Sequence, residues 1–268
     1  EKKLPVTGTA SPIIDDAERL LGVIVIFQDI TEKYELEQMK DRFLSVAAHQ
    51  LRTPIGSMRW SMELLRNGDF GKLPKDASEA VQQLYDNSTR LLGLVNDLLD
   101  VSRIDQGRAQ EEAQDTDIAK LIGEVVETLS GEAEQRGVAV SYAPPEGLPL
   151  IRITQKHIFD AIENLVSNAI RYNRQEGGTI AIAVRPVPDA IEIRIADNGI
   201  GVPLEDQPKL FSKFFRAGNA VRSFTDGSGL GLSVVKSYVE ENGGTVGFES
   251  QEGVGTTFTV RLPIGSGK

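Results

Sequence analysis

The stretch F-L-S-V-A-A-H-Q-L-R-T-P-I-G-S-M, Phe43 to Met58, decides the architecture. Around it Leu36, Met39, Phe43, Ala47, Leu51, Ile55, Met58, Met62 and Leu65 recur at steps of three and four. That spacing predicts one long amphipathic helix. At about 100° per residue, His49 lies roughly 160–200° from both Ala47 and Leu51, opposite the stripe and so turned to solvent. Pro54 removes the amide that would bond the Gln50 carbonyl and loosens the helix there. Taken alone, this reads equally as a surface histidine beside a proline kink. The chain has only two histidines, however, and the downstream sequence gives this one a use.

Working outward, the helix is expected over about 32–66, roughly 50 Å at 1.5 Å per residue, a length that suits a bundle. Thr31 stands where an N-cap is expected. Asn67 to Pro74 carries turn chemistry. A second stripe follows in Val81, Leu84, Ser88, Leu91, Val95, Leu98 and Ser102, widened by Tyr85, Leu92 and Leu99, with Asp76 and Glu79 spaced as a capping box. Two long stripes joined by a short loop predict an antiparallel helical hairpin. Dimerisation into a four-helix bundle would cover its remaining apolar surface. Upstream, Lys3–Ile14 and Leu21–Phe27 read as two strands joined by an acidic turn, too few for a core of their own.

Beyond the hairpin, 106–117 is polar and without periodicity, a linker. An α/β domain follows. Helices are expected over Ile118–Gln135, Thr154–Tyr172 and Ser228–Glu241. Strands are expected over Val138–Tyr142, Thr179–Arg185, Ala190–Ala196, Thr245–Ser250 and Thr256–Leu262. Ile200–Asp226 shows little regularity, and a loop of that length inside a compact domain is usually functional.

The 268 residues carry a net charge of −10, which argues against nucleic acid as the main partner. The absence of cysteine excludes disulfides and thiolate metal sites and fits a reducing, cytoplasmic compartment. No apolar run approaches the ~18 residues of a membrane span. The chain opens at Glu1 without methionine or signal peptide, so it is expected to be a fragment whose membrane anchor, if any, lies in a missing N-terminal region.

Three clusters carry chemistry. Asn164 and Asn168, four apart, leave one face of a helix, and an amide oxygen suits Mg²⁺, which takes substrate phosphates as further ligands. Asp197-Asn-Gly199-Ile-Gly201 follows a strand; its carboxylate can accept from an exocyclic amine such as that of adenine, and its glycines admit a flat ligand. Asp226-Gly227-Ser-Gly229-Leu230-Gly231 opens a helix, where free amides bind phosphate. It does not follow the first strand of a βαβ unit, which excludes the dinucleotide-binding reading.

Together these clusters resemble the ATP-binding domain of sensor histidine kinases, the Bergerat (GHKL-type) fold shared with gyrase, chaperone and mismatch-repair ATPases. Asn164–Tyr172 is similar to the N box, Asp197–Gly201 to the G1 box, Leu210–Arg216 to the F box and Asp226–Leu232 to the G2 box. Gly253–Phe258 is similar to the last strand. His49-Gln-Leu-Arg-Thr-Pro54 resembles the H box of the dimerisation and phosphotransfer domain, and Asp29-Ile-Thr31 the end of a PAS sensor domain. The resemblance implies a PAS-like remnant over 1–30, a phosphotransfer hairpin over 31–108, a linker over 109–117 and an α/β-sandwich ATP-binding domain over 118–265.

The same resemblance implies the roles. Asn168 would bind Mg²⁺, assisted by Asn164. Arg171 and Arg216 would meet phosphates, Tyr172 would line the nucleotide site, and Asp197 would read adenine. Gly199, Gly201, Gly227, Gly229, Leu230, Gly231 and Thr257 complete the nucleotide site, and Phe214 and Phe215 would anchor a lid. His49 would take the γ-phosphate and pass it to an aspartate of a response regulator, with Thr53 orienting water in the reverse, phosphatase reaction. The implied protein is a homodimeric protein-histidine kinase.

Two positions depart from the family. Arg171 replaces the usual lysine, keeping the charge and changing its geometry. Gln50 replaces the usual acidic residue after the phosphoaccepting histidine, and an amide can orient an imidazole without accepting its proton. That leaves a second reading, a pseudokinase or phosphatase scaffold that binds ATP without efficient autophosphorylation. Asn164 stands where the hydrolytic relatives carry a water-activating glutamate, which favours transfer to a protein group over hydrolysis. His157, outside the boxes, reads as a surface residue.

Overall fold

The computed structural model describes residues 4–15, 19–105, 112–224 and 227–265, with the backbone alone at 37–38, 40–45, 49, 90, 94 and 96–105. The chain divides after Val95 into two compact units.

In the first unit, strands β1 (Val6–Ile14) and β2 (Leu20–Asp29) pair antiparallel. Leu20, Val23, Ile24, Val25, Ile26 and Phe27 are all exposed, so both faces of the ribbon are apolar. Helix α1 (Thr31–Asn67) follows and continues through Pro54. The cap expected of Thr31 is reversed. Ile30 is the N-cap residue, and Thr31 donates its amide and hydroxyl to Asp29 Oδ1 at 2.8 and 2.6 Å. Asp29 ends the strand, and its carboxylate turns back onto the first free amide of the helix. At the other end Gly68, at φ 82°, donates to the Leu65 carbonyl, and Asp69 to that of Leu64, closing the helix in a left-handed turn.

Helix α2 spans Lys75–Asp105. Its first turn closes when Ser78 N donates to the Pro74 carbonyl, so Asp76 sits inside the turn, where its charge meets the helix dipole, and not at the capping position expected for it. The Arg66 guanidinium lies 4.3 Å over the Tyr85 ring and ties the two helices near their turn.

Around His49 the face covered within one chain keeps Ala47, Ile55, Met62 and Leu65 of the expected stripe and extends to the adjoining positions 48, 52 and 59. Ala48 is buried and Arg52, Ile55, Arg59 and Met62 are half-buried, whereas Leu51 and Met58 are about half exposed. Leu84 and Leu91 of α2 are exposed as well. Both exposed pairs are seven residues apart, the repeat of a helical-bundle seam. His49 lies in α1, but its side chain falls outside the described residues, so its expected outward orientation is neither met nor contradicted.

The second unit carries a five-stranded mixed sheet in the order β4-β6-β7-β9-β8: β4 Val138–Tyr142, β6 Gly178–Val187, β7 Ala190–Asp197, β8 Thr245–Gln251 and β9 Gly255–Pro263. One pairing, β4 with β6, is parallel. Helices α3 (Ile118–Gln135), α4 (Gln155–Arg171) and α6 (Gly231–Glu241) bring Ile122, Ile162, Leu165 and Val235 into one core with the sheet's Ile180, Ile193 and Val260. Full burial of each such side chain contributes about 2 kcal/mol.

A further strand pair was not legible. β3 (Gln114–Thr116), within the expected linker, pairs antiparallel with β5 (Ile151–Ile153). Neither has the length to show a period, and each exists through the other. The expected irregular loop over 200–226 contains a 3₁₀ turn at Gln207–Lys209 and a short helix α5 (Gly218–Ser223).

On the other face of the sheet, Glu192 stands between Arg185 of β6 and Arg261 of β9, its register partners. The Nη2 atoms of these arginines lie 2.6 and 2.8 Å from its two oxygens. Hydrogen bonds from Arg185 first, then Arg261, hold its carboxyl below the usual range.

His157 corrects the sequence reading. It is 7% exposed, stacked on Tyr238 at 4.3 Å, with Nδ1 3.4 Å from Glu241 Oε2. The end of α6 crosses the first turn of α4, a contact between residues far apart in sequence.

Candidate functional site

Helix α4 buries Ile158, Ile162, Leu165, Val166 and Ala169. The 3.6-residue period then presents Asn164 and Asn168 together on its remaining face, both half-buried. Asn168 Nδ2 donates to Asn164 Oδ1 at 2.9 Å. This bond spends one amide on its neighbour and leaves the Asn168 carbonyl oxygen as an acceptor, the chemistry a hard cation needs. Among the described residues no group of three or more His, Cys, Asp or Glu could hold a metal ion.

Asp197 ends β7. Its Oδ1 accepts from Gly199 N at 2.8 Å and Thr256 N at 3.2 Å. Burial raises its pKa, and these two amides partly offset the rise. With Oδ1 engaged, Oδ2 remains to read a ligand donor. Gly199 lies against the Tyr172 carbonyl and Asp197 Oδ1, where an added Cβ has no room, so the turn backs directly onto the end of α4. Gly201, at φ 62°, is packed as tightly against Gln251.

The glycine-rich segment meets the other clusters residue by residue. A Cβ on Gly231, the first residue of α6, would sit 2.5 Å from Asn164 Oδ1. Gly229 approaches the backbone of Phe214 and Phe215, and Gly227 faces Arg216 and the Tyr172 hydroxyl. Leu230 is buried beneath this crossing. Arg216 donates Nη2 to the Phe224 carbonyl at 2.6 Å. Its Nε is buried without an acceptor among the described residues. Phe224 packs edge-on against Tyr172 at 5.2 Å.

Most of the expected nucleotide residues therefore converge. Arg171 is half-buried in the last turn of α4, and Thr257 is half-buried on β9 beside Ala196. Phe214 is 63% exposed, with φ 63°, while Phe215 is half-buried; of the two expected lid anchors, Phe214 is not packed. Asp226 lies outside the described residues. In the other unit Gln50 and Thr53 are exposed on α1. Sequence reasoning missed Asn173 and Asn219, which are buried and bond backbone carbonyls. An asparagine just after a helix or inside a glycine-rich loop is the signal that could have marked them.

Residues 153–266 match the model of the histidine kinase-, DNA gyrase B- and HSP90-like ATPase domain, and residues 39–107 that of the His Kinase A phospho-acceptor domain. The chain belongs to the sensor histidine kinases. The chain is 33% identical over 245 residues to the sensor histidine kinase WalK of Bacillus subtilis, covering 90% of the chain and 39% of the relative. It is 31% identical to the alginate biosynthesis sensor protein KinB of Pseudomonas aeruginosa, covering 94% of the chain and 42% of the relative. It thus spans about two fifths of these relatives' length. The crystal structure of full-length ShkA in complex with AMPPNP superposes with a TM-score of 0.70 at 26% identity, over 84% of this chain and 46% of that one. The histidine kinase AdeS of Acinetobacter baumannii shares the fold, with a TM-score of 0.56 at 21% identity, over 81% of this chain and 98% of that one. The helical hairpin followed by an α/β ATP-binding domain is the architecture expected from sequence. No helix among the described residues is long and apolar enough to cross a membrane.

Proposed function

We propose that the chain is the kinase core of a homodimeric sensor histidine kinase that phosphorylates His49 from ATP and passes the group to an aspartate of a response regulator. The observation that carries this reading is the Arg216 Nε beside Gly227, buried without an acceptor among the described residues, within a cluster that also joins Asn164 to Gly231. Asp197 reads the adenine amine through Oδ2. Tyr172 lines the pocket, and Arg171 and Arg216 neutralise phosphate charge. Mg²⁺, held by Asn168 with Asn164 in support, would offset charge on the transferring phosphoryl group.

The neutral imidazole of His49 attacks the γ-phosphorus in line. A nitrogen–phosphorus bond forms, the bond to the ADP oxygen breaks, and the imidazole proton leaves to solvent, because Gln50 orients the ring without accepting it. Asn164 supplies no general base, which keeps water from competing. Thr53, exposed one turn after His49, orients the water of the reverse reaction on the regulator's phosphoaspartate. The seven-residue spacing of Leu51 with Met58, and of Leu84 with Leu91, supports a second copy completing the bundle. The ribbon β1–β2 is the last part of a PAS-like sensor, and a membrane anchor, where present, belongs to the longer protein.

Incubation with γ-labelled ATP tests the reading. Label that is acid-labile, alkali-stable and lost in His49→Ala is the expected result. Nucleotide binding without label would favour the scaffold reading, and steady phosphate release persisting in His49→Ala a hydrolytic ATPase.

A further inference from the structure

The turn after Asp197 has its polar groups met from several directions. Ile200 N donates to the Tyr172 carbonyl at 3.0 Å, Gly253 N donates to the Ile200 carbonyl at 2.8 Å, and Val202 N donates to Ser250 Oγ at 2.9 Å. The Gly201 carbonyl takes its bond from one further place. Asn219, in the first turn of α5, donates Nδ2 to it at 2.9 Å and also lies 3.4 Å from the Ile200 carbonyl. Asn219 is 8% exposed, and its Oδ1 accepts from Ala220 N at 2.8 Å. Both ends of its amide are therefore used. An apolar residue of similar size would leave a buried carbonyl unpaired.

The same short helix is tied elsewhere. Gly218 N donates to Asp206 Oδ2 at 2.7 Å. Arg216 holds the Phe224 carbonyl just past the helix end, and Phe224 packs on Tyr172. One six-residue helix thus touches the turn that presents Asp197 and the arginine assigned to phosphate.

We propose that Asn219 is a positioning residue for base recognition, fixing the Asp197–Gly201 turn so that ATP is selected over GTP. The proposal rests on the reading of Asp197 as the adenine contact. At the purine position where adenine carries an amine, guanine carries a carbonyl oxygen. A carboxylate held in place accepts from the first and repels the second. Discrimination of that kind needs the carboxylate to stay where it is. Once the turn can move, ATP loses its hydrogen bond while GTP escapes its repulsion.

The experiment is displacement of a fluorescent ATP analogue from the full chain by ATP and by GTP, each with Mg²⁺, at a temperature where circular dichroism finds every variant folded. Asn219→Asp keeps the shape and removes the donor. ATP affinity should fall about tenfold, the size of one buried hydrogen bond, with GTP affinity held or raised, so that the ATP-to-GTP ratio narrows at least tenfold. Asp206→Ala, at a half-exposed position, releases the start of α5 without touching the buried amide. It should narrow the ATP-to-GTP ratio by a smaller factor, and it decides the matter should Asn219→Asp fail to fold. A purely structural Asn219 would lower the melting temperature and leave the ratio unchanged. An unchanged ratio in the folded variants overturns the proposal and leaves the kinase reading standing. Failure of the unaltered chain to bind either nucleotide overturns both.

Discussion

The side chain of Asn164 lies directly against the α-carbon of Gly231: a Cβ there would approach Oδ1 to 2.5 Å and Nδ2 to 2.7 Å. The helix bearing the two asparagines and the helix opened by the glycine-rich loop therefore meet at this point, with the Asn164 side chain against the Gly231 backbone. Gly231→Ala should push Asn164 off Asn168 and lower autophosphorylation at saturating ATP more than tenfold. The measurement is initial rate of label incorporation, with circular dichroism confirming that the helices persist.

Asp197 combines burial with a charge, and the two amides on Oδ1 offset only part of the cost. Its folded pKa is raised, so the carboxylate costs stability as pH rises through the interval between its unfolded and folded values. Asp197→Asn keeps the Oδ1 acceptor and removes the charge. It should raise the nucleotide-free melting temperature at pH 7 by a few degrees, with the gain fading as pH falls toward 4. ATP affinity should drop at least tenfold. A lower melting temperature at pH 7 would contradict the assignment.

For Glu192 the sign is opposite. Its folded pKa is lowered by Arg185 and Arg261, so its stabilisation is complete above the ordinary glutamate value and is lost as pH falls through the depressed one. Because the two arginines that cover it are themselves partly exposed, Glu192→Gln should cost about 1–2 kcal/mol at pH 7. Urea unfolding at pH 7 and at pH 3 checks this: the difference between the two proteins should shrink at the lower pH.

Gln50 and Thr53 are both exposed, so substitutions there can act on chemistry without disturbing packing. Gln50→Glu supplies a proton acceptor and should raise the autophosphorylation rate severalfold. Thr53→Ala should leave autophosphorylation within twofold while slowing dephosphorylation of the partner regulator about tenfold. An unchanged or lower rate in Gln50→Glu would remove the proton-acceptor argument.

Periodicity made the long elements legible because each is decided by its own residues. The stripe from Leu36 to Leu65 predicted α1 within a residue or two of Thr31–Asn67. Ile118–Gln135 and Val138–Tyr142 are as expected. The structure brings Asn164, Asn168, Asp197 and the glycines together, and that they form one cluster was legible because the chemistry proposed for them restricts residue type at fixed spacing. Elements without a period of their own were not. β3 and β5 exist by mutual pairing, and α5 by the ties that Asp206 and Arg216 make to it.

His157 marks the same limit in a side chain. It stands at the boundary between polar Gln155-Lys156 and apolar Ile158-Phe159, so local pattern leaves its side undecided, and the ring that stacks on it belongs to Tyr238. Which residues form the long helices and strands was set by local pattern, so sequence alone determined most of the architecture and carried the resemblance to the family. Which of those atoms are already engaged was decided only in three dimensions: Oδ1 of Asp197 by Gly199 and Thr256, the Gly201 carbonyl by Asn219, the Asn164 oxygen by Asn168. Hydrogen-bond capacity belongs to a residue, but its partner is chosen by packing.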